Sequence, residues 1–203
     1  MPHPPRAPLD ERLIRVTLDL LAHEGLGAVS LRRIARRAGV SHGAPLRHFR
    51  GLAGLLAEVA AQGFQLLSEA VEKSGAQLPP GTPPLERLRA AGRAYVESAV
   101  AHRELFALMF QPNRLDWENP FLVRESAAAF EQLVRQVRAA QDAGWQQDRE
   151  TRLLAGSVWA TVHGLAALFA QGALAGPLPR ASLDDVLDTT LELVLGDRQG
   201  ETR

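Results

Sequence analysis

The sequence predicts an all-α protein of about nine helices, and three kinds of observation support this prediction. Apolar residues recur three and four positions apart along most of the chain, which is the spacing of one helix face. No stretch of any length alternates between apolar and polar residues as a half-buried strand would. Glycine and proline interrupt the helical pattern at intervals. Because 46% of the 203 residues are hydrophobic, the helices can bury one large core or two smaller ones.

Charge is balanced over the whole chain but uneven along it. The 23 Lys and Arg residues equal the 23 Asp and Glu residues, yet residues 1–50 hold nine Arg against four acidic residues. That segment therefore carries a net charge of +5, and the remainder, with 14 basic and 19 acidic residues, carries −5. Only Lys73 is lysine. The basic groups are thus guanidinium groups, which suit bidentate phosphate contacts, although a GC-rich genome would give the same usage.

The composition also excludes several kinds of site. Cysteine is absent, which removes disulfides, thiolate metal sites and cysteine nucleophiles. The six histidines show no compact metal-binding spacing, so we expect no metal or other cofactor. No apolar run reaches membrane-spanning length, and the first ten residues lack the apolar core of a signal peptide. We therefore expect a cytoplasmic protein without membrane association.

The first 50 residues predict three helices behind a short arm. Residues 1–8 contain four prolines and are expected to form a disordered arm. The first helix begins at Leu9 and ends before Gly25. The second begins after Ser30, a good N-cap, and carries an apolar face opposite an arginine-rich one. The arginines of the second helix are Arg32, Arg33, Arg36 and Arg37.

A tight turn joins the second helix to the third. Gly39 can adopt the positive φ that ends a helix, and Ser41 can cap a following helix that carries His42, Arg47 and His48. Two short helices around such a turn form a helix-turn-helix pattern. The pattern alone leaves two interpretations open, since a DNA-binding motif and a plain structural hairpin both show it.

Longer helices follow this motif. A fourth helix is predicted to connect it to a second domain, and the proline-rich segment behind that helix is the clearest boundary in the chain. The sixth helix is predicted from about Arg103 to Phe110, and the eighth from about Asp148 to Gln171. The predicted segments are the helix-turn-helix domain 9–50, the connecting helix 51–76, the loop 77–84, the second domain 85–196 and the tail 197–203.

The eighth helix is apolar most of the way around. Large apolar residues form one stripe, and small residues such as Gly156 and Ala160 form a second stripe beside it. A helix of this kind must be covered on most of its sides. Together with the ninth helix, it could form a four-helix bundle with the same helices of a second copy. The predicted dimer contacts are Leu154, Val158, Gly164, Leu165, Leu187 and Leu191.

An ordered set of short matches gives the N-terminal segment a family resemblance. They are Glu24-Gly25, Val29-Ser30, Ile34-Ala35, Ala38-Gly39-Val40-Ser41, His48-Phe49 and Leu55-Leu56. From about Leu9 to Val71, the chain resembles the DNA-binding domain of the TetR family of bacterial transcriptional repressors. In the eighth helix, Trp159 to Ala166 resembles the Trp-His-Gly signature of one class of TetR-type C-terminal domains.

The resemblance implies a regulator that binds a palindromic double-stranded operator as a homodimer. Its third helix would enter the major groove, where Arg47 is the best candidate to contact guanine, and Arg32 and Arg33 would contact phosphate. For Arg36 and Arg37, a solvated face is the competing interpretation. The predicted DNA-binding residues are Ser30, Arg32, Arg33, Ser41, His42, Gly43, Arg47 and His48.

Three departures from the family pattern bear on DNA affinity. Leu46 stands where the family commonly has Tyr, and Leu52 stands where it commonly has a phosphate-binding Lys. Pro45 lacks an N–H group and constrains the first turn of the third helix. An alternative function is therefore a TetR-like dimer that binds a ligand or a protein and has weak or lost DNA binding. An all-α enzyme is a more remote alternative, because no catalytic motif is present.

The second domain is expected to bind a small effector that releases the operator. Its aromatic and polar residues would suit a hydrophobic or amphipathic molecule, such as a drug-like, acyl or aromatic compound. An ordinary core is the competing interpretation for each residue, and for His163 it is a satisfied buried histidine. The predicted ligand-binding residues are Tyr95, His102, Phe106, Met109, Phe110, Trp117, Phe121, Trp159 and His163.

Overall fold

The computed structural model describes residues 8–196, and within them the chain is all-α, as predicted. A single 3₁₀ turn, Leu26–Ala28, follows the first helix. Residues 1–7 of the predicted arm 1–8, and the whole predicted tail 197–203, lie outside the described residues. The helices are α1 (Leu9–Glu24), α2 (Leu31–Arg37), α3 (Ala44–His48), α4 (Gly51–Ala76), α5 (Pro84–Ala101), α6 (Arg103–Met109), α7 (Pro120–Asp142), α8 (Thr151–Ala170) and α9 (Leu183–Leu195).

The helices group into two compact units that differ from the predicted domains. The first unit combines the chain up to Phe64 with Glu104–Ser126, and the second combines Gln65–Arg103 with the chain from Ala127 onward. Helices α4 and α7 therefore contribute to both units. The proline-rich segment 77–84 lies within the second unit, between α4 and α5. The division of the sequence at that segment stays a prediction about domain organisation.

In the first unit, α1, α2 and α3 pack against one another. Leu20 of α1, Ile34 of α2 and Leu55 of α4 are completely buried. Helix α4 also lies very close to α6, because a Cβ atom added to Gly63 would be only 2.6 Å from Met109 Sδ. A glycine at this position therefore permits the two helices to approach each other. The start of α7 is fixed to α4 by Asn119, whose side-chain amide donates to Glu58 at 2.9 Å.

In the second unit, α5 packs against both α8 and α9. Gly92 permits a close approach, since an added Cβ atom would lie 2.9 Å from a methyl group of Leu191. Two arginines of α5 then hold α9 at its ends. Arg89 donates to the carbonyl of Gly196 at 2.6 Å, and Arg93 forms ion pairs with Asp184, at 2.7 Å, and Asp188. These contacts fix which side of α9 faces the core.

The exposed surface of α8 is unusually apolar. By length and composition the helix could cross a membrane, with a mean hydropathy of 1.6. The expectation that no apolar run reaches that length was therefore wrong, because isolated polar residues such as Ser157 and Thr161 hardly lower the average. Only 28% of this apolar window is buried within the chain. Leu153, Trp159 and Leu168 are exposed, so one side of an apolar helix has no cover within the described chain.

Candidate DNA-binding and dimer surfaces

The predicted second helix and turn form as the local sequence dictates. The side-chain oxygen of Ser30 accepts a hydrogen bond from the backbone N–H of Arg33 at 3.4 Å, which confirms the predicted N-cap. Gly39 adopts a φ of +66°. The backbone N–H groups of Gly39 and Val40 donate to the carbonyls of Arg36 and Ala35, at 3.2 and 3.0 Å. This hydrogen-bond pattern is a Schellman motif, and it ends α2 after two turns.

The third helix is shorter than predicted. It begins at Ala44 and contains five residues, and Gly43 rather than Ser41 is its N-cap. The prediction that Ser41 caps this helix and that His42 lies within it was wrong. A helix capped at Ser41 would need a hydrogen bond from the N–H of residue 45 to the carbonyl of Ser41, and Pro45 has no N–H group. Ser41, His42 and Gly43 therefore lie in the turn.

Most of the predicted DNA-binding residues are exposed, and all of them lie in the first unit. They fall on three consecutive pieces of chain, namely the start of α2, the turn and α3. Leu46, which stands in place of the usual Tyr, is 57% exposed on α3. The exposed predicted residues are Ser30, Arg32, Ser41, His42, Gly43, Arg47 and His48.

Arg33 differs from the other predicted DNA-binding residues because it is already paired. Its guanidinium forms an ion pair with Glu24 at the end of α1. Arg37 contacts the same carboxylate at 3.0 Å and the carboxylate of Asp19 at 2.8 Å. Sequence reasoning missed these contacts, since it read Glu24 only as part of a family match. The signal that could have found them was the presence of two acids on α1 close in sequence to four arginines.

The predicted ligand-binding residues are divided between the two units. Phe106 and Met109 are buried in the first unit, where Phe106 and Phe110 form an edge-to-face ring pair at 5.2 Å. Trp117 of the same unit is 41% exposed, and His102 of the second unit is also exposed. Burial of this kind agrees with the core interpretation of Phe106 and Met109. Within residues 8–196, no group of His, Asp and Glu could hold a metal ion.

Three predicted ligand residues form a polar chain in the second unit. The indole N–H of Trp159 donates to the Tyr95 hydroxyl at 3.1 Å, and that hydroxyl lies 2.8 Å from Nδ1 of His163. Burial raises the pKa of Tyr95 far above its usual value, and burial lowers the pKa of His163. Both groups are therefore neutral near pH 7, and the tautomer of the imidazole decides which of them donates in the bond between the Tyr95 hydroxyl and His163 Nδ1. Phe130 of α7 also contacts Trp159, with ring centroids 6.0 Å apart.

The predicted dimer contacts need correction. Four of the six face the interior of their own chain and cannot contact a partner: Val158, Leu165, Leu187 and Leu191 are buried. The apolar residues that α8 and α9 leave exposed are others. Leu153 is 74%, Leu168 is 44% and Leu193 is 82% exposed.

The two remaining predicted contacts, Leu154 and Gly164, are half-buried. A Cβ atom added to Gly164 or to Gly156 would meet nothing within 4 Å. The stripe of small residues on α8 is therefore open, whereas the stripe of large residues packs inside the second unit. Periodicity could not distinguish these two apolar faces.

Two family models match the chain. The model for bacterial regulatory proteins of the tetR family covers residues 13–59, from α1 into α4. The model for the tetracyclin repressor-like C-terminal domain covers residues 88–194, which is more than half of the chain. No curated protein is significantly similar in sequence.

Several solved structures share the fold over nearly the whole chain. A protein with unknown function from Rhodococcus sp. RHA1 is 33% identical, with a TM-score of 0.79 over 94% of this chain and 95% of that one. The fatty acid degradation regulator FadR from Bacillus halodurans is 15% identical, with a TM-score of 0.71 over 97% and 99% of the two chains. The TetR family regulator PfmR from Thermus thermophilus is 21% identical, with a TM-score of 0.66 over 95% and 100%. With the two family models, these matches establish that the chain belongs to the TetR family of bacterial regulatory proteins.

Proposed function

We propose that this protein is a cytoplasmic transcriptional repressor that binds a palindromic operator as a homodimer. The observation that carries the proposal is the α2–turn–α3 motif, which lies in the part of the chain that matches the family's DNA-binding model. Its turn and third helix expose His42, Arg47 and His48. In a helix-turn-helix protein, the residues of the second helix of the motif contact base edges, and symmetric half-sites reflect the symmetry of the dimer.

Within this motif, Arg47 is our candidate for base recognition. It lies on α3 and is exposed, and an arginine can donate two hydrogen bonds to guanine in the major groove. Helix α3 has only five residues, so few side chains share the task. Exposed Leu46 offers no hydrogen bond to phosphate. We therefore expect a modest affinity that depends strongly on a few arginines.

The dimer is proposed to form through the outward faces of α8 and α9. Leu153, Leu168 and Leu193 are exposed there, and the open positions at Gly156 and Gly164 allow another helix to come close. A chain that leaves one side of a strongly apolar helix exposed is expected to bury that side against a partner. A second copy satisfies this requirement with a self-complementary contact around a two-fold axis.

We further propose that a hydrophobic or amphipathic effector releases the operator. In the second unit, Trp159, Tyr95 and His163 offer hydrogen-bonding groups beside aromatic rings, which is the usual composition of a small-molecule site. The Trp-His-Gly resemblance of α8 places two of these residues in the class signature, and assignment to that class is part of the proposal. Regulation requires that the effector bind the free and operator-bound dimers with different affinities.

Genome-wide pull-down of bound DNA tests the function directly. The full-length protein should recover a small set of fragments that share a palindrome, and fluorescence anisotropy should then show preference for that palindrome over a scrambled duplex. A dimer without sequence preference at low salt would instead support the alternative of a TetR-like protein that has lost DNA binding.

Candidate acyl and aromatic effectors are titrated against the free and the operator-bound dimer. Equal affinities in the two titrations would exclude a compound as the regulator, because linkage is reciprocal.

A further inference from the structure

The four arginines of α2 form two pairs with different surroundings. Arg32 and Arg36 are four positions apart and share one face of the helix, and Arg33 and Arg37 share the adjacent face. All four have the same charge and similar reach. Any difference in their roles must therefore come from what each face meets.

One pair is held by carboxylates of α1. Glu24 forms an ion pair with Arg33 and lies 3.0 Å from Arg37, which also contacts Asp19 at 2.8 Å. Two carboxylates thus neutralise two guanidinium groups, and each arginine is tied to the helix that precedes the motif. Glu24 is the last residue of α1, so its contacts hold α2 against the end of that helix.

The other pair is available to a partner. Arg32 and Arg36 are exposed, and within residues 8–196 neither forms an ion pair or a side-chain hydrogen bond. Their charge is therefore not neutralised by the described chain. A phosphate oxygen could accept from either guanidinium without breaking an existing contact.

We propose that α2 divides its arginines between two tasks. Arg32 and Arg36 contact DNA phosphates, whereas Arg33 and Arg37 are positioning residues that hold α2 on α1 through Glu24 and Asp19. This inference rests on the proposed DNA binding and changes the sequence-based assignment, because Arg36 takes the phosphate contact that was expected of Arg33. To reach a phosphate, Arg33 would have to leave Glu24, and the abandoned carboxylate would then repel the DNA backbone.

The slope of log affinity against log salt distinguishes the two tasks. Each phosphate contact contributes about −0.9 to this slope on duplex DNA. We would measure the slope by fluorescence anisotropy with full-length dimer and a mixed-sequence duplex between low and moderate salt. Arg32→Ala and Arg36→Ala should each make the slope shallower by about 0.9. Arg33→Ala and Arg37→Ala should lower affinity by a salt-independent factor and leave the slope unchanged.

Further variants test whether Glu24 positions Arg33 or only neutralises an arginine that would otherwise bind phosphate. Glu24→Gln should weaken DNA binding, and in the double variant with Arg33→Ala it should add only the loss of its contact with Arg37, because both changes remove the ion pair between Glu24 and Arg33. Arg135→Ala removes one exposed arginine from α7 and serves as the control, with no expected effect on the slope. Stronger binding with a steeper slope in Glu24→Gln would show that Glu24 merely masks a phosphate-binding Arg33.

The outcomes also separate this inference from the proposed function. A slope that falls in Arg33→Ala as much as in Arg32→Ala, with wild-type binding intact, would overturn the division of tasks alone. A wild-type protein that binds no duplex at low salt would contradict the proposed function and the phosphate contacts together. Thermal unfolding would still test whether Glu24 and Arg33 hold α2 on α1. Both Glu24→Gln and Arg33→Ala must then lower the midpoint temperature of unfolding more than Arg32→Ala does.

Discussion

Helices α2 and α8 both present a face that the described chain does not cover, but the two faces have opposite chemistry. The uncovered face of α2 carries Arg32 and Arg36, and that of α8 carries Leu153, Leu168 and open glycine positions. A polyanion suits the first face, and a second apolar surface suits the second. Salt therefore distinguishes the two proposed contacts. Dissolved ions screen the attraction between α2 and DNA, but they do not weaken the burial of apolar surface between two copies of α8.

The largest expected effect is loss of the dimer in Gly164→Arg. An added Cβ atom meets nothing within 4 Å in the chain itself, so the monomer should fold. A guanidinium buried without a partner in the helix–helix contact should cost on the order of 4 kcal/mol of association free energy. Light scattering should report a monomer. The control Ala139→Arg, on the exposed side of α7, should remain a dimer; a Gly164→Arg protein that stays dimeric would place the interface elsewhere.

A comparison of a buried and an exposed leucine of α9 tests the proposed dimer interface. In the monomeric Gly164→Arg background, Leu187→Ala should lower the free energy of unfolding by about 3 kcal/mol, because it leaves a cavity in the core. Leu193→Ser should change it little in the same background. In the dimeric protein, however, Leu193→Ser should weaken association. Urea unfolding and sedimentation measure the two quantities, and a core-like loss in Leu193→Ser would contradict the exposure of that side chain.

At the proposed DNA-binding surface, Arg47→Ala should remove the preference for one base in each half-site. We expect a loss of about 1–3 kcal/mol in discrimination at one position of each half-site. Anisotropy with the operator and its single-base variants measures this change, and Arg32→Ala should instead weaken all sequences alike. Equal losses on every duplex in Arg47→Ala would reassign this residue to phosphate contact.

Acid should destabilise the second unit through His163. Burial lowers the pKa of His163, so the unfolded chain binds a proton more readily than the folded one does. The stabilising contribution is therefore complete above the unfolded pKa of about 6.5 and is lost as the pH falls through the lower folded value. Thermal midpoints between pH 7.5 and 5 should fall less in His163→Gln than in wild type. Parallel profiles would show that other groups account for the acid response.

The smallest expected effect is a gain of affinity at two leucines. Leu46→Tyr and Leu52→Lys restore residue types common in the family, and exposed Leu46 leaves room for the larger ring. Each new phosphate contact should add about 0.5–1 kcal/mol of binding free energy at low salt. Leu52→Lys should also steepen the salt slope, whereas the neutral Leu46→Tyr should not. No gain in either variant would mean that the third helix approaches DNA differently from the family pattern.

Local signals explain what the sequence could predict. Ser30 and Gly39 act on their own helix, and their cap and turn formed where expected. The position of α3 was misjudged because one missing N–H group, that of Pro45, outweighed a suitable cap at Ser41. The pairing of Arg33 with Glu24 and the burial of Leu187 depend on how separate helices pack. Such orientations are not encoded in the periodicity of one helix, so neither could be derived from spacing.

The most direct test measures both equilibria over one salt series. Full-length protein is followed from low to high salt by anisotropy with operator DNA and by light scattering without DNA. The account predicts that operator affinity falls steeply, with a log–log slope of about −0.9 for each phosphate contacted, while the dimer mass stays constant. A dimer that dissociates with salt while DNA binding persists would contradict the assignment of a charged DNA-binding face to α2 and an apolar dimer face to α8.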